Sequence, residues 1–410
     1  MANSKEPAIL RAMSSPVPTP SPRLASMDAY RGFVMLLMMG EVLSFGAVSR
    51  ALPDSGFWKF LDLHQSHVQW TGCVLHDMIQ PSFSFLVGVA LPFSIAARSA
   101  RGQSQGKMTL HALGRALILI LLGVALRSTH SPQTRWTFED TLSQIGLGYG
   151  VLFVLGWQSV RAQWIALVTI LVGYWAAFAA YPLPDASFDY DKVAVSADWL
   201  REHGLKGFAA HWQKNSNFAW AADNVILNWF PRPKPWVMND GGYSTLSFIP
   251  TLGTMVLGLI AGGLLRGPRD PKSKMRWLLI AGAISLFVGW LLGVTGVCPV
   301  VKRIWTPSWV LFSGGICLWF LAAFYALVDF HGLKGPALPL RVIGMNSIAA
   351  YCIAHLWEGF IHHNLVTHLG AQFFAFAGAA YEPFFHGAAV LFVEWLVLYW
   401  MYRRQVFLRI

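Results

Sequence analysis

Apolar runs of about 20 residues recur from near residue 30 to near residue 404, and they constrain the fold more than any other feature of the chain. A run of that length crosses roughly 30 Å of hydrocarbon as a helix. Inside hydrocarbon every backbone N–H and C=O needs an internal partner. That leaves helices or a closed barrel, and these runs are too long and too continuous for barrel strands. The expected fold is all-α: a polytopic membrane helix bundle with about ten spans, near 29–51, 73–97, 108–127, 139–157, 162–181, 245–265, 276–296, 308–329, 340–360 and 386–403. Composition agrees, because only 12% of residues are charged where a soluble domain has about a quarter.

The net charge of +11 does not point to nucleic acid, because the basic residues fall in short clusters between apolar runs. Arg11 and Arg23 precede the first run; Arg98, Arg101, Lys107 and Arg115 surround the second connection; Arg161 lies between the fourth and fifth. Arg266, Arg269, Lys272, Lys274 and Arg276, then Lys334 and Arg341, then Arg403, Arg404 and Arg409 continue the pattern. With ten spans all of these share one side, and the other side holds fewer, among them Arg127, Arg135, Lys302 and Arg303. The positive-inside rule then predicts both termini in the cytosol. Residues 1–22, rich in Ser and Pro without an apolar core, read as a mobile cytosolic tail ahead of a transmembrane domain over 23–410. Within that domain the polar, aromatic insertion 182–244 is expected to cap the outer face. Cys73, Cys298, Cys317 and Cys352 stand singly, which reads as packing and argues against a metal or disulfide framework.

Polar residues inside or at the mouths of such spans are costly and mark candidate sites. Asp28, Arg31 and Gly32 open the first span in MDAYRGF, and Glu41 lies about halfway along it. At the second, HQSHVQWTGCVLHDMIQP brings His64, His67, His76 and Asp77 to the edge of an apolar run. A histidine with an orienting carboxylate is a general-base or nucleophile arrangement, and Asp77, one turn inside, needs a partner such as His67, Arg135 or a residue of another helix. Gln144, Asn346, Ser347, His355 and Glu358 add polar groups to the fourth and ninth spans and suggest a polar pocket in the bundle. His64 with His67, and His362 with His363, have no accompanying carboxylate pattern of a zinc site, so no metal is expected.

Taken jointly, these residues resemble the heparan-α-glucosaminide N-acetyltransferase family of transmembrane acetyltransferases, with its bacterial relatives. The resemblance rests on D-x-x-R-G at Asp28, Arg31 and Gly32, and on H-x-x-W-x-G-x-x-x-x-D-x-x-x-P at His67, Trp70, Gly72, Asp77 and Pro81. Weaker matches are LSQIG around Gln144, KRIWTPSWVLF (302–312), GMNS (344–347) and the ending YRRQVFLRI. The resemblance implies that His67 is catalytic, with Asp77 as its orienting carboxylate and Glu41 near the depth of a family asparagine. It implies transfer of an acetyl group from cytosolic acetyl-CoA to an amino-sugar or glycan acceptor on the outer side of a bacterial cytoplasmic membrane, by a chain in contact with lipid and open to homodimerisation. CoA is large and anionic, so basic residues are expected near its phosphates. Arg31 and Arg341 are candidates from the cytosolic side, Lys302 if CoA threads towards the outer face, and Asn346 or Gln144 as hydrogen-bond donors to the developing oxyanion. Two other readings stay open: a sugar or envelope-precursor transporter with Glu41 and Asp77 as proton-coupling carboxylates, and an O-acetyltransferase of an envelope glycan.

Overall fold

A computed structural model describes residues 24–408, and all regular structure among them is helical apart from one isolated bridge between Thr71 and Val301. The tail over 1–22, with Arg11, Arg23 and Arg409, lies outside the described residues. The principal helices are α1 (Ala25–Met39), α2 (Phe45–Ala51), α3 (Gly56–Gln65), α4 (Ile79–Ser99), α5 (Gln105–Ser128), α6 (Thr141–Leu155) and α7 (Val160–Ala180). After two short helices, α8 (Ala197–His203) and α9 (Phe218–Ile226), come α10 (Phe248–Arg266), α11 (Pro271–Val294), α12 (Pro307–Phe324), α13 (Leu338–Met345), α14 (Ser347–Leu356), α15 (Glu358–Leu369) and α16 (Glu382–Arg403).

Among the described residues seven helices are able by length and composition to cross a membrane, eight if α1 and α2, bent by 42° at Ser44, form one span. The chain is a multi-pass integral membrane protein. Three of the ten expected spans differ from straight crossings, the first by this bend. The fourth is α6, only 15 residues long, and the ninth breaks at Asn346 into α13 and α14. Helix starts follow local chemistry: Asp140 caps α6 by accepting the N–H groups of Leu142 and Ser143, and Thr306 caps α12 just ahead of Pro307. Helix α1 is capped from a distance, since Asp329 accepts the N–H groups of Ala25 and Ser26.

Between apolar helices in lipid there is little hydrophobic drive to associate, so close backbone approach has to supply the contact. Helix α4 meets α10 this way. A Cβ at Gly258 or Gly262 would strike the carbonyl of Phe85 or Val89, and one at Gly88 the carbonyl of Met255. Helix α1 meets α13 similarly through Gly32 against Leu340 and Gly344 against Asp28, so the glycine of MDAYRGF is fixed by packing. Gly258→Leu is therefore expected to destabilise the bundle by about 3 kcal/mol through overpacking against backbone. A thermal midpoint in detergent equal to that of the wild type would contradict this.

The break between α1 and α2 positions the site. At Gly40 the helix tightens into a 3-10 turn, Gly40–Leu43, and Ser44 takes the left-handed conformation with φ 51°. Gln65 closes the gap, its Nε2 donating to Gly40 O at 2.6 Å and its Oε1 accepting the Phe45 N–H at 2.9 Å. Backbone groups freed by the break are thus satisfied within the protein, which is what permits irregular backbone at this depth. Segment 182–244 packs at the same end of the bundle as His67 around its own aromatic core, where Trp212 stacks on Phe178 and its carbonyl accepts the Trp70 indole N–H.

Candidate active site

The loop 66–74 and the 3-10 turn Leu75–Met78 lead into α4, and the site is built on them. His64 Nδ1 accepts the Leu75 N–H at 3.2 Å and the Gly72 N–H donates to Val300 O at 3.0 Å, tying the loop to α3 and to the strand-like stretch before Lys302. Asp77, fully buried, stands at the centre. Its Oδ1 lies 2.7 Å from His67 Nδ1 and 3.1 Å from Lys302 Nζ, while its Oδ2 accepts the backbone N–H groups of Val74 at 3.2 Å and Val68 at 3.4 Å. A carboxylate with these donors is held ionised and fixed, so the His67 ring presents Nδ1–H to it and keeps its lone pair on Nε2. Nε2 makes no hydrogen bond among the described residues. Burial, with Lys302 acting in the same sense, holds the His67 imidazolium below the usual histidine range even though Asp77 opposes this. Lys302 is itself 5% exposed and its ammonium is lowered by burial, with Asp77 opposing.

Beside this triad sits a second pair. His76 Nε2 lies 2.9 Å from Glu41 Oε1, and the rings of His67 and His76 are 4.7 Å apart. Glu41 is not an isolated carboxylate midway along a straight helix; the break after Met39 turns it into a cavity, with 57% of its side chain exposed. That cavity, about 380 Å³, is walled by His67, His76, Glu41 and Lys302, and further by Arg127, Tyr243, Tyr351, His355 and Glu358.

A second cavity of about 400 Å³ adjoins it at Phe83, Thr141 and Tyr351, which line both. It carries Arg31, Arg98 and Arg115, and Arg98 stands at the far end of α4 from His67, roughly 30 Å of helix away. Arg115 Nη1 donates to Tyr149 OH at 3.3 Å, while its Nε is buried without a hydrogen-bond partner among the described residues. A third hollow, about 680 Å³, shares Arg127 and Glu139 with the first and is lined by Trp136, Trp236, Arg135, Arg232 and Lys234. Among the described residues no group of three or more His, Cys, Asp and Glu side chains is arranged to hold a metal.

No family model matches the chain. Among curated proteins it is 24% identical, over an alignment of 396 residues, to the human protein named heparan-alpha-glucosaminide N-acetyltransferase, a match covering 87% of this chain and 55% of that one. The mouse protein of the same name is 23% identical over 370 residues, covering 80% of this chain and 53% of its own length. The chain is a distant relative of the heparan-alpha-glucosaminide N-acetyltransferases. It spans about half the length of the curated relatives it matches.

The residues that suggested a heparan-alpha-glucosaminide N-acetyltransferase relative do not all converge. His67, Asp77, Glu41 and Lys302 gather at the first cavity and Arg31 lines the second. Gln144 lines neither: its Nε2 donates to the carbonyls of Phe138, Ser244 and Thr245 and its Oε1 accepts the Thr251 hydroxyl, which anchors α6 to α10. Asn346 holds the C-terminal segment, donating to Val406 O and accepting the Leu408 N–H. Arg341 reaches back to Lys334 O. Conversely, Arg98, Arg115, Arg127, Tyr243 and Tyr351 line the cavities without having been singled out as site residues. For Arg115 a signal existed: an arginine ten residues into a 24-residue apolar helix is not a flanking charge.

Proposed function

We propose that the chain is a transmembrane acetyltransferase that moves an acetyl group from acetyl-CoA to an amino-sugar acceptor, with His67 as the catalytic base or nucleophile. The observation that carries the reading is the junction of two cavities, one holding the His67–Asp77–Lys302 triad and the other three arginines. Arg31, Arg98 and Arg115 suit the CoA phosphates, and the unpartnered Nε of Arg115 is a donor awaiting an anion. Phe83 and Tyr351 line both cavities, and the pantetheine arm would run past them towards His67. The acceptor approaches through the third hollow, whose lining includes Trp136, Trp236 and polar groups suited to a sugar. On this reading the arginine end faces the cytosol and the His67 end faces outward, across a bacterial cytoplasmic membrane.

His67 is oriented by Asp77, and Lys302 holds Asp77 ionised. Nε2 then takes a proton from the acceptor as its nitrogen attacks the thioester carbonyl, or attacks that carbonyl itself and passes the acetyl group on. CoA binding tests the proposal. Purified protein is expected to bind CoA, Arg98→Ala and Arg115→Ala to weaken binding at least about tenfold, and His67→Ala to leave it unchanged. No binding by the wild type would sink the reading and leave a transporter, which has no use for CoA.

The pH profile carries a further expectation. A His67 imidazolium that loses its proton below the ordinary histidine value of about 6.5 is already a free base at neutral pH. The rate of acetyl transfer should hold from neutrality down to about pH 6.5 and fall only below it. A rate that already falls to half between about pH 7 and about pH 6.5 would contradict this.

A further inference from the structure

We propose that His76, backed by Glu41, is a second general base of this site, taking the first proton from the acceptor ammonium while His67 serves the acyl transfer. The proposal rests on the acetyltransferase reading and goes beyond it in assigning work to a pair that the His67 mechanism does not use.

Proton balance calls for such a group. An amino sugar arrives as R–NH₃⁺ and leaves as the amide R–NH–CO–CH₃, so its nitrogen gives up two protons. The thioester takes up one: the new N–C bond forms, the C–S bond breaks with its electron pair on sulfur, and the thiolate leaves as the thiol. A single imidazole can carry one proton from nitrogen to sulfur. The other, which comes off before attack because an ammonium has no lone pair, needs a separate acceptor connected to solvent.

The structure supplies that acceptor beside His67. His76 and Asp77 are consecutive on the turn Leu75–Met78, and the turn sends Asp77 to His67 and Lys302 but His76 to Glu41. Each imidazole thus has its own carboxylate, the rings are 4.7 Å apart, and both line the same 380 Å³ cavity. With Nε2–H donated to Glu41, His76 keeps Nδ1 as its basic nitrogen. His76 is 5% exposed, whereas Glu41 has 57% of its side chain exposed, so the pair leads from a closed position to an open one. Beyond Glu41 and His67, the charged or titratable groups of this cavity are Lys302, Arg127, Glu139, Asp140, His355, Glu358 and the two tyrosines, all present in the variants below.

The test is the pH dependence of labelled-acetyl transfer to glucosamine by purified full-length protein, wild type beside His76→Gln, with CoA binding as the control for folding. An amino-sugar ammonium titrates near an α-amino group, at about 8. His76→Gln should be slower by about a hundredfold at about pH 6.5, and the deficit should shrink to a few-fold at about pH 9, where the amine arrives free. His76→Ala should regain activity with added imidazole. A deficit of equal size at every pH, or no deficit, overturns the proposal, as does His76→Ala that binds CoA and is not rescued by imidazole. If the wild type transfers no acetyl group, the acetyltransferase reading fails and His76 with it, an outcome distinct from the others.

Discussion

Lys302→Met is expected to lower stability by about 3–5 kcal/mol, because it leaves Asp77 as a buried charge without its cationic partner. Asp77→Leu should cost a similar amount for the opposite reason, an ammonium left in a site only 5% exposed. The double variant Asp77→Leu, Lys302→Met should recover most of the loss, since an apolar pair in place of a buried ion pair is often neutral or better. Thermal midpoints of the four proteins in detergent check this as a double-mutant cycle. Additive losses would mean that the 3.1 Å contact carries no coupling. The cycle also separates roles: the stable double variant should still be inactive, because His67 has lost the group that fixes its tautomer.

His67→Ala is expected to have the reverse profile. Transfer should fall by about a thousandfold with stability changed by less than about 1 kcal/mol. The His67 side chain is 38% exposed, and without it Asp77 still has Lys302 and two backbone N–H groups. A variant that loses activity only because it unfolds would contradict this. Activity near that of the wild type would remove His67 from the chemistry.

The membrane fold was legible because hydropathy over about 20 residues reports helix length directly. Breaks were not, because a bent span has the same hydropathy as a straight one; the turn at Ser44 depends on Gln65, which accepts the Phe45 N–H from 20 residues on, and the break at Asn346 on backbone near residue 407. The site divided along similar lines. His67 and Asp77 were visible as polar residues too costly to be incidental, yet ten residues of spacing left their contact open, and the partner that completes the triad lies 225 residues from Asp77. Lys302 was expected only as a phosphate contact, and its burial against Asp77 gives it a different duty. Gln144 and Asn346 show the limit of polarity as a signal: sequence reveals that a polar side chain sits in a span, while packing decides whether it faces a cavity or a stray carbonyl. His76 was visible beside Asp77 in sequence, but its pairing with Glu41 was not, because only the 3-10 turn sends the two neighbours to different partners.

Acetyl transfer by the purified protein in detergent, supplied with labelled acetyl-CoA and glucosamine, tests directly whether His67 is the centre of an acetyltransferase. Label is expected on the amino sugar with the wild type and none above background with His67→Ala. Label that never leaves CoA in the presence of glucosamine and amino-sugar glycans, from a protein that does not bind CoA, would contradict it.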